Sequence, residues 1–185
     1  MSAIPENLPV IPSNKGEIAV VSKKKLPEMQ RLKETISRIH HNIDRANNKV
    51  DDWTSDISLS QRRLEEEGNK TYFAKEGDEI VGYATMRPSK YGEKKGYYVS
   101  YIAIDPKHQG KKIGKILMEK LFTVAKKRFD TAGQHITVDF EKEDQRLQSF
   151  YGSFKNPPVK DVNISDYGSY AKGQKKSRVV YTLQS

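Results

Sequence analysis

The chain contains no cysteine, which excludes disulfide bonds, a thiolate nucleophile and a cysteine-ligated metal. It also lacks any apolar run of about 18 residues, the length that a membrane-spanning helix needs, so we expect no membrane span. Residues 1–15 hold three prolines and no apolar core of the kind found in secretory signals. These absences predict a protein of the reducing cytoplasm.

The composition is basic. The 185 residues include 33 Lys and Arg against 24 Asp and Glu, a net charge of +9. Residues 107–128 alone contain eight basic residues and one acid, Glu119. Such a segment is either a solvated helix face or a surface that binds an anion, and composition leaves both open. His40 and His41 are adjacent, but no third ligand lies at recognisable spacing, so we expect no metal.

Hydrophobic periodicity predicts one domain over residues 16–185, preceded by a flexible arm over residues 1–15. The predicted order of elements is β-α-α-β-β-β-α-β-α-β-β, an α/β (α+β) fold. Strands at 97–104 and 135–140 flank a helix at 112–129, and together these form a right-handed βαβ unit. Segments 89–96 and 167–178, both rich in tyrosine and lysine, are predicted to be loops.

The stretch "IDPKHQGKKIGKIL", residues 104–117, joins the strand at 97–104 to the helix. A helix N-terminus presents unpaired N–H groups and partial positive charge, and glycine lets them approach an anion closely. A strand, a Gly-containing turn and a helix therefore favour phosphate binding. Gly110 and Gly114 are only four residues apart, so the P-loop pattern is excluded, and the Rossmann GxGxxG is also absent.

The same stretch resembles the acetyl-CoA loop of the GNAT superfamily of N-acetyltransferases. The family pattern is Gln/Arg-x-x-Gly-x-Gly/Ala after a strand ending in an apolar-x-apolar-x-Pro run. Here Ile102-Ala103-Ile104-Asp105-Pro106 supplies the strand end, and Gln109-Gly110-Lys111-Lys112-Ile113-Gly114 supplies the loop. The resemblance implies a mixed, mostly antiparallel sheet with a central splay, flanked by helices. One residue departs from the pattern, because Lys112 stands where the family has a glycine.

The resemblance also implies acetyl-CoA as cosubstrate, with no metal. Backbone groups of Ile102, Ala103 and Ile104 would pair with the pantetheine. The pyrophosphate would be held by N–H groups of the loop and first helical turn, which are those of Gln109, Gly110, Lys111, Lys112, Ile113, Gly114 and Lys115. An acceptor amine would then attack the thioester directly.

A second family signature, Asn-x-x-Ala-x-x-x-Tyr, matches "DQRLQSFY". Asp144 stands for the Asn, which adds it to the predicted cofactor-binding residues, and Tyr151 stands for the Tyr. The resemblance implies that the Tyr151 hydroxyl protonates the departing CoA thiolate as a general acid. The alternative is that "SFY", on a short helix, packs in the core of the protein.

The motifs do not identify the residue that acts as general base. Some family members carry a Glu at the position of Tyr98, and a neutral tyrosine does not replace it. Asp139 and Glu141 on the next strand are alternatives, as is an amine deprotonated through ordered water.

The acceptor would be a primary amine on a small molecule, a peptide or a protein. The basic surface also suggests an RNA-borne amine, such as aminoacyl-tRNA, while the departures at Lys112 and Tyr98 leave a non-catalytic CoA- or nucleic-acid-binding module as a further alternative. Many family members are dimers, so the resemblance allows a homodimer. Segments 89–96 and 167–178 are candidate walls of the acceptor site.

Overall fold

The computed structural model describes residues 11–13, 16–26, 28–47, 54–128, 134–170 and 173–184. Within these ranges the elements follow the predicted order, with one short strand added at the start. They are β1 (Ile11–Ser13), β2 (Gly16–Ser22), α1 (Met29–Ala46), α2 (Thr54–Glu65), β3 (Lys70–Glu76), β4 (Glu79–Tyr91), β5 (Lys94–Ile104), α3 (Ile113–Arg128), β6 (His135–Glu141), α4 (Gln145–Gly152), β7 (Val159–Ser169) and β8 (Lys175–Leu183). Strand β1 lies within the predicted arm, and residues 1–10 and 14–15 of that arm lie outside the described residues.

The predicted fold class is confirmed: helices accompany a mixed, mostly antiparallel sheet. Strand pairs β1–β2, β2–β3, β3–β4, β6–β8 and β7–β8 are antiparallel, and β5–β6 is parallel. The chain divides into two compact units. The first comprises Met1–Met86 and Tyr101–Lys120, and the second Arg87–Ser100 and Leu121–Ser185. Strands β4 and β5 and helix α3 contribute residues to both.

The core of the first unit forms where α1 and α2 pack on β3, β4 and β5. Apolar residues recur along α1 at three- and four-residue spacing, which gives this helix one buried face. The buried cluster consists of Leu32, Ile36, Ile39, Leu64, Phe73, Tyr83 and Ala103. Each large aliphatic or aromatic side chain buried in this way contributes about 1.5–3 kcal/mol to stability. The cluster therefore fixes the end of β5, from which the Gly110 loop departs.

The core of the second unit is aromatic. The Phe122 ring, on α3, lies 4.8 Å from the Tyr181 ring of β8 and 5.4 Å from the Phe154 ring, measured between centroids. Both contacts are edge-to-face, the arrangement that aromatic quadrupoles favour. This packing holds α4 and β8 in place around the segment that carries Tyr151.

Gly96 begins the parallel β5–β6 ladder, which pairs Gly96–Tyr98 with His135–Thr137. A Cβ atom at Gly96 would overlap the backbone carbonyl oxygen of His135. The strands therefore approach here more closely than any other residue type permits.

The predicted loops at 89–96 and 167–178 are wrong in extent. Strand β4 continues to Tyr91 and β5 begins at Lys94, so only Gly92 and Glu93 remain between them. Gly92 has φ +61°, and a glycine at the first position of a two-residue loop makes the tight turn that lets both strands extend. Likewise β7 runs to Ser169 and β8 starts at Lys175. The charge and aromatic content of these segments suggested loops. The boundary between strand and loop is set instead by where a residue that favours a tight turn, such as Gly92, occurs.

Candidate active site

The end of β5 is set by a buried carboxylate. Asp105 directly follows Ile104, and its N–H donates to the Val81 carbonyl at 2.8 Å. Its side chain is 1% exposed and accepts from Asn42 Nδ2 at 2.8 Å, from Arg38 Nη1 at 3.4 Å and from the Lys107 N–H at 3.1 Å. These bonds tie α1 to the point where the chain leaves the strand.

The loop that follows has the backbone of a glycine-rich turn. Gly110 has φ +81°, and Lys112 has φ +61°, the only positive φ of a non-glycine residue in the described ranges. The Lys112 carbonyl accepts the Ile116 N–H at 3.1 Å, so Lys112 caps α3. Gly114 lies in the first turn of α3, where the N–H groups have no intrahelical partner. The lysine thus adopts the conformation that a glycine would adopt at this position.

The side chain of Lys111 is not directed to an open anion site. Its Nζ donates to both Glu76 carboxylate oxygens, at 2.7 and 2.9 Å, and lies 3.1 Å from His108 Nδ1. His108 Nδ1 in turn lies 2.7 Å from Glu76 Oε2. The hydrogen bond from Lys111 lowers the pKa of Glu76, with a further contribution from His108, so the carboxylate stays ionised. The ion pair anchors the loop to the end of β3, so the Lys111 ammonium is engaged within the protein.

The left-handed conformation of Lys112 leads us to predict how substitutions there change the free energy of unfolding. We expect Lys112→Gly to have a free energy of unfolding about 0.5–1 kcal/mol above that of Lys112→Ala, because alanine retains the steric cost of positive φ. Urea unfolding of the two variants measures the difference. Lys115→Gly and Lys115→Ala are the control, since Lys115 lies within α3, where alanine should be the more stable residue by about 1 kcal/mol. The same sign at both positions would contradict the argument.

Tyr151 lies near the end of α4 in the second unit. Asp144 caps this helix, accepting the Leu147 N–H at 3.0 Å. The Tyr151 side chain is buried, and its ring centroid lies 5.2 Å from that of Phe140. Its carbonyl accepts the Tyr181 hydroxyl at 2.6 Å. Burial raises the pKa of Tyr151 well above the ordinary value, and Tyr170 and Tyr98 add to the shift, so the hydroxyl keeps its proton.

The predicted base candidates differ in their surroundings. Both carboxylate oxygens of Asp139 accept from Arg178, at 2.6 and 2.8 Å, and its side chain is 4% exposed. Both oxygens of this carboxylate are therefore engaged in charge-assisted hydrogen bonds. Glu141 ends β6, half-buried, opposite Lys176 in the β8 register. Of the two, Glu141 is the carboxylate without a bidentate partner among the described residues.

Tyr98 donates to Asp139 Oδ2 at 3.4 Å. Burial raises the pKa of Tyr98 to about 12, and Asp139 and Tyr170 contribute in the same direction. Tyr98 is therefore neutral near pH 7. Where some family members carry a Glu, this chain has a tyrosine that donates a hydrogen bond to Asp139. The neutral hydroxyl does not serve as a proton acceptor for an amine.

Sequence reasoning did not identify Arg178 and Lys176, the basic residues that bond to Asp139. Arg178 and Lys176 lie two residues apart on β8, so they share a face of the strand, and the antiparallel register places Arg178 opposite Asp139. The alternation of "KKSRVVYTL" could have indicated that shared face. The register, however, depends on contacts between distant segments, which alternation does not encode.

Among the described residues, no group of three or more His, Asp or Glu side chains is placed to hold a metal ion. In the same ranges, no helix is both long enough and apolar enough to cross a membrane.

Comparison with known proteins identifies relatives by family and by fold. The model of the Acetyltransferase (GNAT) family matches residues 33–154. No curated protein is significantly similar in sequence. An acetyltransferase of the GNAT family from Staphylococcus aureus superimposes with a TM-score of 0.63 at 14% identity, covering 90% of this chain and 99% of the other.

Two other solved structures share the fold. The ribosomal-protein-S18-alanine N-acetyltransferase from Escherichia coli gives a TM-score of 0.59 at 13% identity, covering 91% of this chain and 96% of that one. A chain of the NatC complex bound to Gag peptide and CoA gives 0.64 at 14% identity, covering 90% and 99%. At these identities the similarity establishes the fold.

Proposed function

Because the chain belongs to the acetyltransferase (GNAT) family, we propose that it transfers the acetyl group of acetyl-CoA to a primary amine. The observation that carries the proposal is the loop between β5 and α3, in which Gly110 and Lys112 both have positive φ ahead of a helix N-terminus. Backbone N–H groups in a turn of this kind, and in the first turn of a helix, can donate to phosphate oxygens. Family membership and loop geometry therefore support the same ligand.

Each predicted binding group has a distinct task. The backbone of Ile102, Ala103 and Ile104 orients the pantetheine, and the N–H groups of residues 110–115 hold the pyrophosphate. The Gln109 N–H is not among them, because it donates to the Pro106 carbonyl at 3.3 Å. The amine nitrogen attacks the thioester carbonyl, forming the C–N bond as the C–S bond breaks. Tyr151 donates its proton to the leaving sulfur, and the ammonium proton of the acceptor passes to solvent or to Glu141. Asp144 acts indirectly, by capping the helix that carries Tyr151.

A second candidate function is binding of CoA without catalysis. The observation that favours it is the Asp139–Arg178 pair, which engages both oxygens of one base candidate, together with the neutral Tyr98. An acceptor amine whose own pKa is near neutral needs no dedicated base. Turnover with weakly basic amines would therefore separate the two functions.

The test is thermal unfolding with acetyl-CoA, followed by an assay of CoA release over a panel of amines. At 100 times its Kd, a ligand that binds only the folded state stabilises it by about 2.7 kcal/mol, which raises the melting temperature by roughly 5–10 °C for a chain of this size. Acetyl-pantetheine, which lacks the pyrophosphate, is the matched ligand and should give a smaller shift.

Absence of a shift with millimolar acetyl-CoA would remove both functions. A shift without turnover of any amine would favour the binding module. The chain has no cysteine, so a thiol reagent reports released CoA without a protein background.

A further inference from the structure

The second unit exposes an unusual set of aromatic side chains. Among the described residues, the large hydrophobic side chains that are more than a third exposed are Met29 and three tyrosines. The tyrosines are Tyr91, Tyr167 and Tyr170, with 48%, 44% and 37% of their surfaces exposed. All three lie on the β4–β5 and β7–β8 hairpins or in the loop of the latter. The exposed parts of these rings offer contact area to a partner.

The two hairpins are also basic. Residues 87–100 contain four basic residues and one acid, and residues 166–178 contain the same numbers. Both segments therefore combine exposed or half-exposed tyrosines with an excess of positive charge. A polyanion would be attracted to either hairpin.

Cations and rings alternate from one hairpin to the other in a continuous row, which we call the tyrosine–cation strip. The strip consists of Arg87, Tyr98, Arg178, Tyr167, Lys176 and Tyr170. The Arg87 guanidinium lies 5.0 Å from the centroid of the Tyr98 ring, and Arg178 lies 5.8 Å from the same ring. Arg178 lies 3.4 Å from the Tyr167 centroid, and Lys176 lies 5.2 and 5.4 Å from those of Tyr167 and Tyr170. These distances are within the range of cation–π attraction.

The strip keeps a positive charge after its internal pairing. Asp139 is the carboxylate that contacts it, bonded to Arg178 and, at 3.4 Å, to Lys176. Arg87 is exposed and has no carboxylate partner among the described residues. Glu141 lies opposite Lys176 on β8 and acts electrostatically on Tyr170, so three cations face two carboxylates. The bidentate bond also holds the Arg178 guanidinium against one face of the Tyr167 ring.

Flat exposed rings interleaved with cations suit one kind of occupant. Bases of a single-stranded nucleic acid stack on aromatic side chains irrespective of sequence, while its phosphates pair with the intervening cations. An acidic peptide would use the cations and leave the rings unused. We propose that the tyrosine–cation strip binds single-stranded nucleic acid, a property that acetyl transfer itself does not require.

The test is fluorescence anisotropy with a labelled 12-nucleotide oligouridine at low and moderate salt. Wild-type protein should bind at low salt and weaken as salt rises, because phosphate contacts release counterions. Tyr167→Leu/Tyr170→Leu should weaken binding at least tenfold, since each lost stack removes a base contact. Tyr167→Phe/Tyr170→Phe keeps both rings and should bind within about twofold of wild type.

Charge is controlled separately. Arg87→Ala/Lys176→Ala should weaken oligouridine several-fold, whereas Lys126→Ala/Lys127→Ala removes the same charge from the exposed end of α3 and should have a smaller effect. Inorganic polyphosphate and polyglutamate serve as unlabelled competitors that have charge but no bases. Both should compete poorly at equal charge concentration.

Three results would each overturn the proposal. One is no binding of oligouridine by the wild type at low salt. Another is equal binding by the Leu and Phe variants, which would make the rings irrelevant. The last is competition by polyglutamate as strong as that by unlabelled oligouridine, which would indicate an acidic protein partner. If the Leu variant fails to fold, the Arg87→Ala single variant, at an exposed side chain, tests the strip against Lys126→Ala, and equal weakening by the two would overturn the proposal.

Discussion

Replacing Tyr151 with phenylalanine is expected to lower the turnover number by roughly 10²–10⁴-fold, the usual contribution of a positioned general acid. The substitution removes only the hydroxyl. The ring contact with Phe140 and the hydrogen bond from Tyr181 to the Tyr151 carbonyl do not depend on that oxygen. We therefore expect the affinity for acetyl-CoA and the melting temperature to stay near those of the wild type. Release of CoA with a saturating amine measures turnover.

Tyr170→Phe is the matched control for Tyr151→Phe. Tyr170 influences the pKa of Tyr151 electrostatically, yet it is exposed and lies outside α4. It should lower turnover much less than Tyr151→Phe does. If Tyr151→Phe left turnover unchanged, Tyr151 would be a packing residue and the departing thiolate would take its proton from water.

The pH dependence follows from the same environment. In the proposed role of general acid, Tyr151 would act in its protonated form. Burial raises its pKa above the ordinary value for tyrosine, about 10. A raised pKa keeps the acid protonated as pH increases. Turnover should therefore show no descending limb between pH 7 and about 10 that depends on Tyr151, which a comparison of wild-type and Tyr151→Phe profiles would test.

Asp105→Ala should destabilise the protein by about 3 kcal/mol, because it removes the carboxylate from a buried group of hydrogen bonds and leaves its donors unpaired. Asn42 Nδ2, Arg38 Nη1 and the Lys107 N–H all donate to this side chain, which is 1% exposed. Urea unfolding followed by circular dichroism measures the loss. Affinity for acetyl-CoA should also fall, since Asp105 fixes the start of the loop that we propose to hold the pyrophosphate.

Asp161→Ala is the control for Asp105→Ala. Asp161 is exposed on β7, and its removal should change the free energy of unfolding by less than about 0.5 kcal/mol. Asp105→Asn should lie between the two, because the amide retains an acceptor for the Lys107 N–H but loses the charge that pairs with Arg38. An Asp105→Ala variant as stable as Asp161→Ala would show that the hydrogen bonds contribute nothing net.

Local patterns predicted much of the fold. The aliphatic stripe of α3, the alternation of β5 and the glycines of the intervening loop are all properties of short segments, and the structure has each within a few residues of its predicted bounds. The order of the eleven predicted elements is likewise confirmed. Such features follow from the backbone preferences of the residues and from the spacing of apolar residues, and both can be read directly from a sequence.

The surroundings of the site residues could not be predicted in the same way. Lys111 is one of several lysines in its stretch, and nothing local indicates that Glu76, 35 residues earlier, accepts from it. The Asp139–Arg178 bond depends on the β6–β8 register, which is set by the whole sheet. Position-by-position patterns report what a residue prefers; partners far along the chain decide what it contacts.

Gly96 controls which side chains the second unit presents. Because only a residue without a Cβ atom fits against the His135 carbonyl, the parallel ladder can start at one position of β5 and no other nearby. A shift by one residue would bring Lys95 or Tyr97 into that space and would turn Tyr98 to the opposite face. The absence of a side chain at Gly96 thus selects one register of the β5–β6 pair. It disfavours alternative pairings, and it thereby places Tyr98 beside Asp139.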